Sequence, residues 1–534
     1  MKVKLVSSVK KILKDSDALP VKRGVCLADE TYAFQAVITP DESGEFNVST
    51  VSDVEVTAYE VVFKKGNYAL NKKTDDFYIK TDNDEYPDLL LKINRKIELK
   101  TGEKKTLFFE ISASEKTAGE HEILILIGKN RVVFKLEVIG RKLAENDLII
   151  THWIYSDCIS NYYKVKPFST EFYKIFSFFL RSYVKLGNNT IFVPVFTPPL
   201  DTAVGGERLT TQLVGVKIKC VGIGENFVNA EYEFDFAKVK KYIDFAKSFG
   251  IKNFEFSHLF TQWGAKFCPK IIAKSGDGEK RIFGWETPSA DDGYLNFLRQ
   301  YLTALDGFVS TEGIKENCFM HLSDEPHADS IVNYRKFSEF ARKYNGGIKI
   351  IDALSTYDFA GENLVDMPAV YMDSNDYEKF KNVDKILYYC VWADKNNLTN
   401  RYFHMPALRT QILGFMLYEE GAKGFLHWGY NFYNTQFSIK PIDPYKDATA
   451  GGGFVAGDPF LVYPGKNDVD YSLRYFEILK AFEDYRLLKT VEKTIGREKT
   501  LGLLKSNGYK SLHEYARDER NYLNFKKSLY ALLR

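Results

Sequence analysis

Over residues 1–143 apolar and polar positions alternate with period two. Examples are Val54–Phe63 (VEVTAYEVVF), Lys105–Ile111 (KTLFFEI), Glu122–Ile127 (EILILI) and Arg131–Val138 (RVVFKLEV). That period turns one set of side chains to a core and the other to solvent, as in an antiparallel strand. Polar stretches such as Asn71–Asp84 read as connections, and no helical repeat interrupts the runs. The segment predicts an antiparallel β-sandwich.

The pattern changes near Leu148. Short apolar runs follow at Leu148–Tyr155, Thr190–Phe196, Asn253–His258, Cys318–Ser323, Ile348–Leu354, Ala369–Asp373, Ile386–Trp392 and Gly424–Trp428. Between them lie stretches of helical period, among them Asp235–Phe249, Tyr294–Leu305, Ile331–Tyr344 and Leu408–Gly421. Eight strands alternating with helices predict a (β/α)8 TIM barrel over 144–495. A doubly wound sheet is the alternative, but no GxGxxG or GxxxxGK[ST] follows a strand. Ser472–Thr494 reads as a charged amphipathic helix closing the barrel, and 496–534 as a basic, polar, helical tail. The fold expected is therefore multi-domain, β plus α/β.

Charge narrows the function classes. With 73 Lys+Arg against 71 Asp+Glu, the 534-residue chain lacks the basic excess that nucleic-acid binding calls for. No apolar run approaches the ~20 residues of a membrane span. The basic N-terminus is broken by Ser7, Ser8, Lys10 and Lys11 before any apolar signal region forms, so a cytoplasmic location is expected. Six scattered cysteines form no CxxC pair and no zinc-type spacing with His, which predicts buried free thiols. Aromatic residues reach 15%, with 41 Phe, 34 Tyr and 5 Trp, which leaves core filling and ligand stacking both open.

In a barrel, chemistry sits at the C-terminal ends of the strands. There the sequence places His152-Trp153, His258 and Trp263, His321-Leu322-Ser323-Asp324-Glu325-Pro326-His327, Tyr371-Met372-Asp373, Trp392-Ala393-Asp394 and His427-Trp428-Gly429-Tyr430-Asn431. Four of the five Trp and five of the eight His fall at these ends. Aromatic platforms beside carboxylates suit a sugar, whose CH faces stack and whose hydroxyls need polar partners. Asp324-Glu325 is the sharpest signal, although Ser-Asp-Glu-Pro is also a good helix start. Two readings of the pair remain. One is an ordinary two-carboxylate glycosidase, with Glu325 working against Asp373 or Asp394. The other is substrate-assisted hydrolysis, in which the sugar's 2-acetamido oxygen attacks and adjacent acids divide the remaining work. The Gly-rich stretch Ala448–Pro459 reads as a loop over the site, with Asp458 and Tyr463 as sugar contacts. His404 and Arg409 read as helix-capping or site residues. A non-catalytic carbohydrate-binding barrel is the reading outside enzymology.

HLSDEP (321–326), SHLFTQWGA (257–265), FTPPLDT (196–202), GFLHWGYN (424–431) and GDPFLVYPG (457–465) resemble glycoside hydrolase family 123, and more broadly the group once labelled domain of unknown function 4091. The resemblance implies a β-sandwich followed by a (β/α)8 barrel. It also implies a retaining exo-acting N-acetyl-β-galactosaminidase working by substrate assistance. No residue set has the spacing of a metal site, and that chemistry needs neither metal nor cofactor. Carried over, the family's pair falls on Asp324, which would stabilise the acetamido group, and Glu325, the acid/base. Tyr371, Tyr430 and Tyr433 are candidates to donate to the acetamido oxygen. Substrate contacts are expected from His258, Trp263, Tyr371, Asp373, Trp392, Trp428, Tyr430, Asn431, Asp458 and Tyr463. The partner implied is an oligosaccharide or glycoconjugate with a terminal N-acetylhexosamine.

Overall fold

The structure, a computed structural model, describes residues 1–16, 18–66, 75–79, 85–220, 227–276, 278–389 and 395–534. Trp392 and Asp394 lie outside them, as does much of Asn71–Asp84.

The period-two runs form two facing sheets. Lys2–Ser7, Thr31–Thr39, Lys105–Ser112, Glu55–Lys65 and Glu85–Lys92 pair antiparallel in one. Arg23–Ala28, Asn130–Lys142, Gly119–Ile127, Gly44–Val51 and Lys96–Leu99 make the other. Inward positions such as Phe34, Ile38, Phe109, Ile125 and Phe134 share one core. Phe34 and Phe134 stack across the gap with centroids 4.2 Å apart. Two features depart from the expectation. Arg23–Ala28 runs parallel to Asn130–Lys142. The first sheet also takes in two strands from the far end of the chain, Asp470–Ser472 beside Glu85–Lys92 and then Val462–Tyr463.

The second part holds parallel strands, numbered here β1 (Ile149–His152), β2 (Thr190–Val193), β3 (Asn253–Phe256), β4 (Cys318–Met320), β5 (in two pieces, Lys349–Ile350 and Ala353–Leu354), β6 (Ala369–Tyr371), β7 (Ile386–Tyr388) and β8 (Gly424–His427). One sheet runs β2-β3-β4-β5 through the first piece of β5, and the other runs β1-β8-β7-β6-β5 through the second. At the opposite edges the Asn189 amide donates to the Ile150 carbonyl, 3.2 Å, bringing β1 beside β2. Nearly every strand residue is buried, as parallel strands covered by helices require. Some of the helices start where a side chain satisfies a first amide. Ser169 caps Thr170–Lys185 and Asp291 caps Asp292–Thr311.

Leu473–Ile495 is not the half-solvated helix its charges suggest. Most of its residues are buried, and its buried charges are partnered. Arg474 makes a two-pronged contact with Asp88, 2.7 and 2.9 Å. Glu483 accepts the Thr31 amide at 2.8 Å, Lys480 bonds Glu30, and Asp484 takes Lys526 at 2.6 Å. The tail is helical over Arg497–Ser506 and Glu519–Ala531 and folds back, with the Tyr530 hydroxyl donating to Glu30 at 2.7 Å. Cys26, Cys158, Cys268 and Cys318 are buried free thiols, whereas Cys220 is exposed; Cys390 lies outside the described residues. Among the described residues no helix is long and apolar enough to cross a membrane.

Candidate active site

β4 stops at Met320, and the next helical turn, Ala328–Ser330, leads into Ile331–Tyr344. Asp324 and Glu325 lie in the turn between, so they do not cap that helix. Glu325 is left-handed (φ 45°), a conformation that costs a non-glycine residue on the order of 1–2 kcal/mol. Asp201, Trp263, Ala265, Phe437 and Ser438 are left-handed as well. These strained loops are tied to one another. The Trp263 amide donates to the Asp324 carbonyl (2.9 Å), the Asp201 amide to Gln262 Oε1 (2.8 Å), and the Phe437 amide to Asp201 Oδ2 (3.1 Å). Backbone strain over-determined in this way clusters at active sites and ligand clamps.

Both members of the pair are half-buried. Burial, then the neighbouring Glu325, pushes the Asp324 carboxyl well above the usual carboxylate range, with His321 pulling the other way. Burial also raises Glu325, opposed by the Tyr388 hydroxyl, which donates to its Oε1 at 3.1 Å. Asp201, raised to about 6 by burial, is a third carboxyl in this region. Two adjacent acids with raised pKa values can share a proton at neutral pH, one as acid and one as anion.

Beneath the pair lies a buried polar cluster. His321 touches Glu255 Oε1 through Nε2 (2.7 Å) and Asp352 Oδ1 through Nδ1 (3.0 Å). Glu255 also accepts from Trp153 Nε1 (3.0 Å) and Thr151 Oγ1 (2.7 Å). Asp352 accepts from the Leu322 and Ser323 amides (3.1 and 3.2 Å) and from the Tyr334 hydroxyl. Donor atoms of His258, His321 and Asp352 come within 4.8 Å of one another, a grouping the sequence spacing does not reveal. Both His321 nitrogens are already engaged by carboxylates. The His258 and His321 rings stack 4.3 Å apart at 21°, so their in-plane lone pairs run side by side and do not converge on one ion.

The other expected site residues divide. Trp263 and Tyr371 are half-buried, and Trp263 meets Phe437 edge-on at 6.2 Å. Trp428 is partly exposed, its Nε1 donating to Asp458 Oδ2 at 3.1 Å, and Phe454 of the Gly-rich loop lies 5.0 Å away. Asp458 is wholly buried behind Trp428, and burial raises it to about 7. Asp373 takes the Asn396 amide at 2.9 Å, with Lys395 4.0 Å away. Trp392 lies outside the described residues. Like Asp458, four further expected contacts are interior residues. Tyr430 is fully buried, its hydroxyl 2.6 Å from Ser182 Oγ. Asn431 bonds both backbone groups of Tyr155, at 2.7 and 3.2 Å. Tyr463 donates to Asp88 at 2.7 Å beneath the first sheet. His258 is fully buried, and burial holds it neutral. Of the acetamido candidates, Tyr433 is also buried, donating to the Val462 carbonyl at 2.8 Å. Arg409 is structural, bridging to Asp75 with two 2.8 Å contacts. Trp153, counted among the strand-end platforms, is a core residue.

The residues the sequence reading missed are Tyr388, Asp201, Asp352 and Glu255. The last two carried a signal, a lone acid inside an apolar strand run (NFEF, KIIDAL). Tyr388 ends β7, four residues before the Trp392 to which the apolar run extends in the sequence.

A family model described as "Glycoside hydrolase 123, catalytic domain" matches residues 153–491. Among solved structures, a family 123 glycoside hydrolase from Clostridium perfringens, studied for glycolipid glycan hydrolysis, superposes with a TM-score of 0.74. It is 14% identical, and the match covers 99% of this chain and 97% of that one. At that identity the likeness speaks for the fold. A family 5 mannosidase from Rhizomucor miehei reaches only 0.33 at 11% identity, covering 67% of this chain and 95% of its own. No curated protein matches the chain.

Proposed function

Since the chain belongs to glycoside hydrolase family 123, we propose that it is a retaining exo-hydrolase releasing terminal β-linked N-acetylhexosamine, GalNAc preferred, by substrate assistance. We read the two parallel sheets as halves of one (β/α)8 barrel spanning 144–495, and residues 1–143 as a β-sandwich beside it. Residues 496–534 form the tail. The observation that carries the functional reading is the pair itself: two adjacent, half-buried carboxyls, both raised by burial, in one turn after β4 where Glu325 is left-handed.

Each acid then has its own task. The substrate's acetamido oxygen attacks the anomeric carbon as the glycosidic C–O bond breaks, and Glu325 gives its proton to the leaving oxygen. Asp324, ionised, accepts the acetamido N–H and stabilises the oxazolinium-type intermediate. Glu325 next takes a proton from water as that water attacks the anomeric carbon, and the ring reopens with net retention. Trp263, Tyr371 and Trp428 supply partly exposed rings for the sugar. An adjacent pair suits this division of labour better than a scheme in which one carboxylate attacks from the opposite face of the ring.

Aryl glycosides of β-GalNAc, β-GlcNAc and β-Gal test the proposal. Turnover of the two acetamido sugars and not of the galactoside is expected, with GalNAc fastest. Equal rates on the plain galactoside would rule out assistance, because that sugar has no acetamido group.

A further inference from the structure

The buried cluster under β4 has no place in the scheme above, yet it holds the segment carrying the pair. His321 stands three residues before Asp324. Each ring nitrogen faces a different carboxylate, Glu255 on β3 and Asp352 within β5. A neutral imidazole has one donor, so two contacts with ionised carboxylates call for the doubly protonated ring. Asp352 passes the constraint on. It accepts the amides of Leu322 and Ser323, the two residues directly before the pair. Ser323 Oγ donates to the Thr261 carbonyl at 2.9 Å, and the Trp263 amide grips Asp324. Residues 322–324 are thereby pinned from below and from one side.

We infer that His321, clamped as an imidazolium between Glu255 and Asp352, is a positioning residue that fixes the 322–325 turn and provides a buried positive charge three residues before Asp324. The groups facing it are Glu255 from β3, His258 after β3, Asp352 from β5 and Asp324 itself. Tyr334, from Ile331–Tyr344, reaches the cluster through Asp352. Burial alone would discharge the ring, but the two carboxylates outweigh it and hold His321 at about 9. His152, His258, His404 and His427 are all pushed the other way by burial. Of these five buried histidines only His321 is pushed toward the charged form, and it stands three residues before Asp324. That cation pulls Asp324 toward the anion that would receive the acetamido N–H, against burial and Glu325, which raise its carboxyl.

The charge itself is read in the wild-type protein. With 15N-labelled histidine, NMR at pH 8 is expected to show an imidazole with both nitrogens protonated; finding none overturns the inference. The role in turnover rests on the reading of Asp324 and Glu325 as the catalytic pair. His321→Gln is expected to lower kcat by about 10²-fold with KM little changed, as small misplacements of reacting groups do. The acidic limb of its pH profile should move to higher pH, because Asp324 then ionises less readily. A folded His321→Gln enzyme with wild-type kcat and an unmoved profile overturns the role. If the wild type turns over no aryl glycoside, the hydrolase reading fails, while the imidazolium signal still judges the assignment of charge.

Discussion

Glu325 pays for its position with a left-handed backbone, and Tyr388 touches its carboxyl (3.1 Å). Glu325→Gln should lower kcat by about 10²–10⁴-fold on substrates with poor leaving groups and much less on dinitrophenyl glycosides, because general acid help matters in proportion to leaving-group basicity. Asp324→Asn should lower kcat more than it changes KM; steady-state kinetics on aryl β-GalNAc would show it. Tyr388→Phe gives a signed pH prediction. The phenol stabilises the Glu325 anion and so lowers its pKa. Removing it raises that pKa, and since the acid must be protonated, the basic limb of the kcat profile should move to higher pH. A limb that stays or falls would argue that Glu325 is not the acid. The pair was readable from HLSDEP and its place after a strand. The fates of Tyr430, Asn431 and Tyr463 were not, because a polar residue past a strand end can point to the cleft or to a buried partner. Here the partners, Ser182, Tyr155 and Asp88, are far away in sequence.

At the scale of elements, close packing is set by small residues. A Cβ on Gly414 would lie 1.8 Å from the Ala481 carbonyl, so Leu413–Glu419 rests backbone to backbone against Leu473–Ile495. Gly414→Ala should therefore destabilise by about 1–3 kcal/mol or more, seen as a lowered Tm. An unchanged Tm would mean the two helices can part freely. Strand positions were legible from period and length because local hydrophobicity decides them. The nature of Leu473–Ile495 was not. Its sequence shows charges on every face, and only the partners Asp88, Glu30, Thr31 and Lys526 reveal that those charges are buried.

Across the whole molecule, that helix joins the two parts through charge. Glu30, on the first part, is held at about 2; Lys480 and Lys526 outweigh the opposing effect of burial. A carboxyl whose folded pKa lies below its unfolded value near 4.3 stabilises the fold above that value, and the contribution is lost as pH falls from there toward 2. Acid unfolding should begin in that window, and Lys526→Met should shift its onset to higher pH while lowering Tm at pH 7. Removing one member of a buried pair costs about 3–5 kcal/mol. Circular dichroism against pH on the two proteins checks it. The two-part plan was legible from the change of period near Leu148, but this joint was not, since it depends on residues hundreds of positions apart.

The strand Asp470–Ser472 completes the N-terminal sheet by lying along Glu85–Lys92. During synthesis Leu90 leaves the ribosome long before its partner Tyr471 exists, at 5–20 residues per second a delay on the order of tens of seconds. For that interval Glu85–Lys92 presents an open edge, the kind of surface that invites pairing with a neighbouring chain. The nascent protein therefore has an order of assembly built into it. Its first part can collapse early, but the sheet is closed only after the catalytic strands have been made.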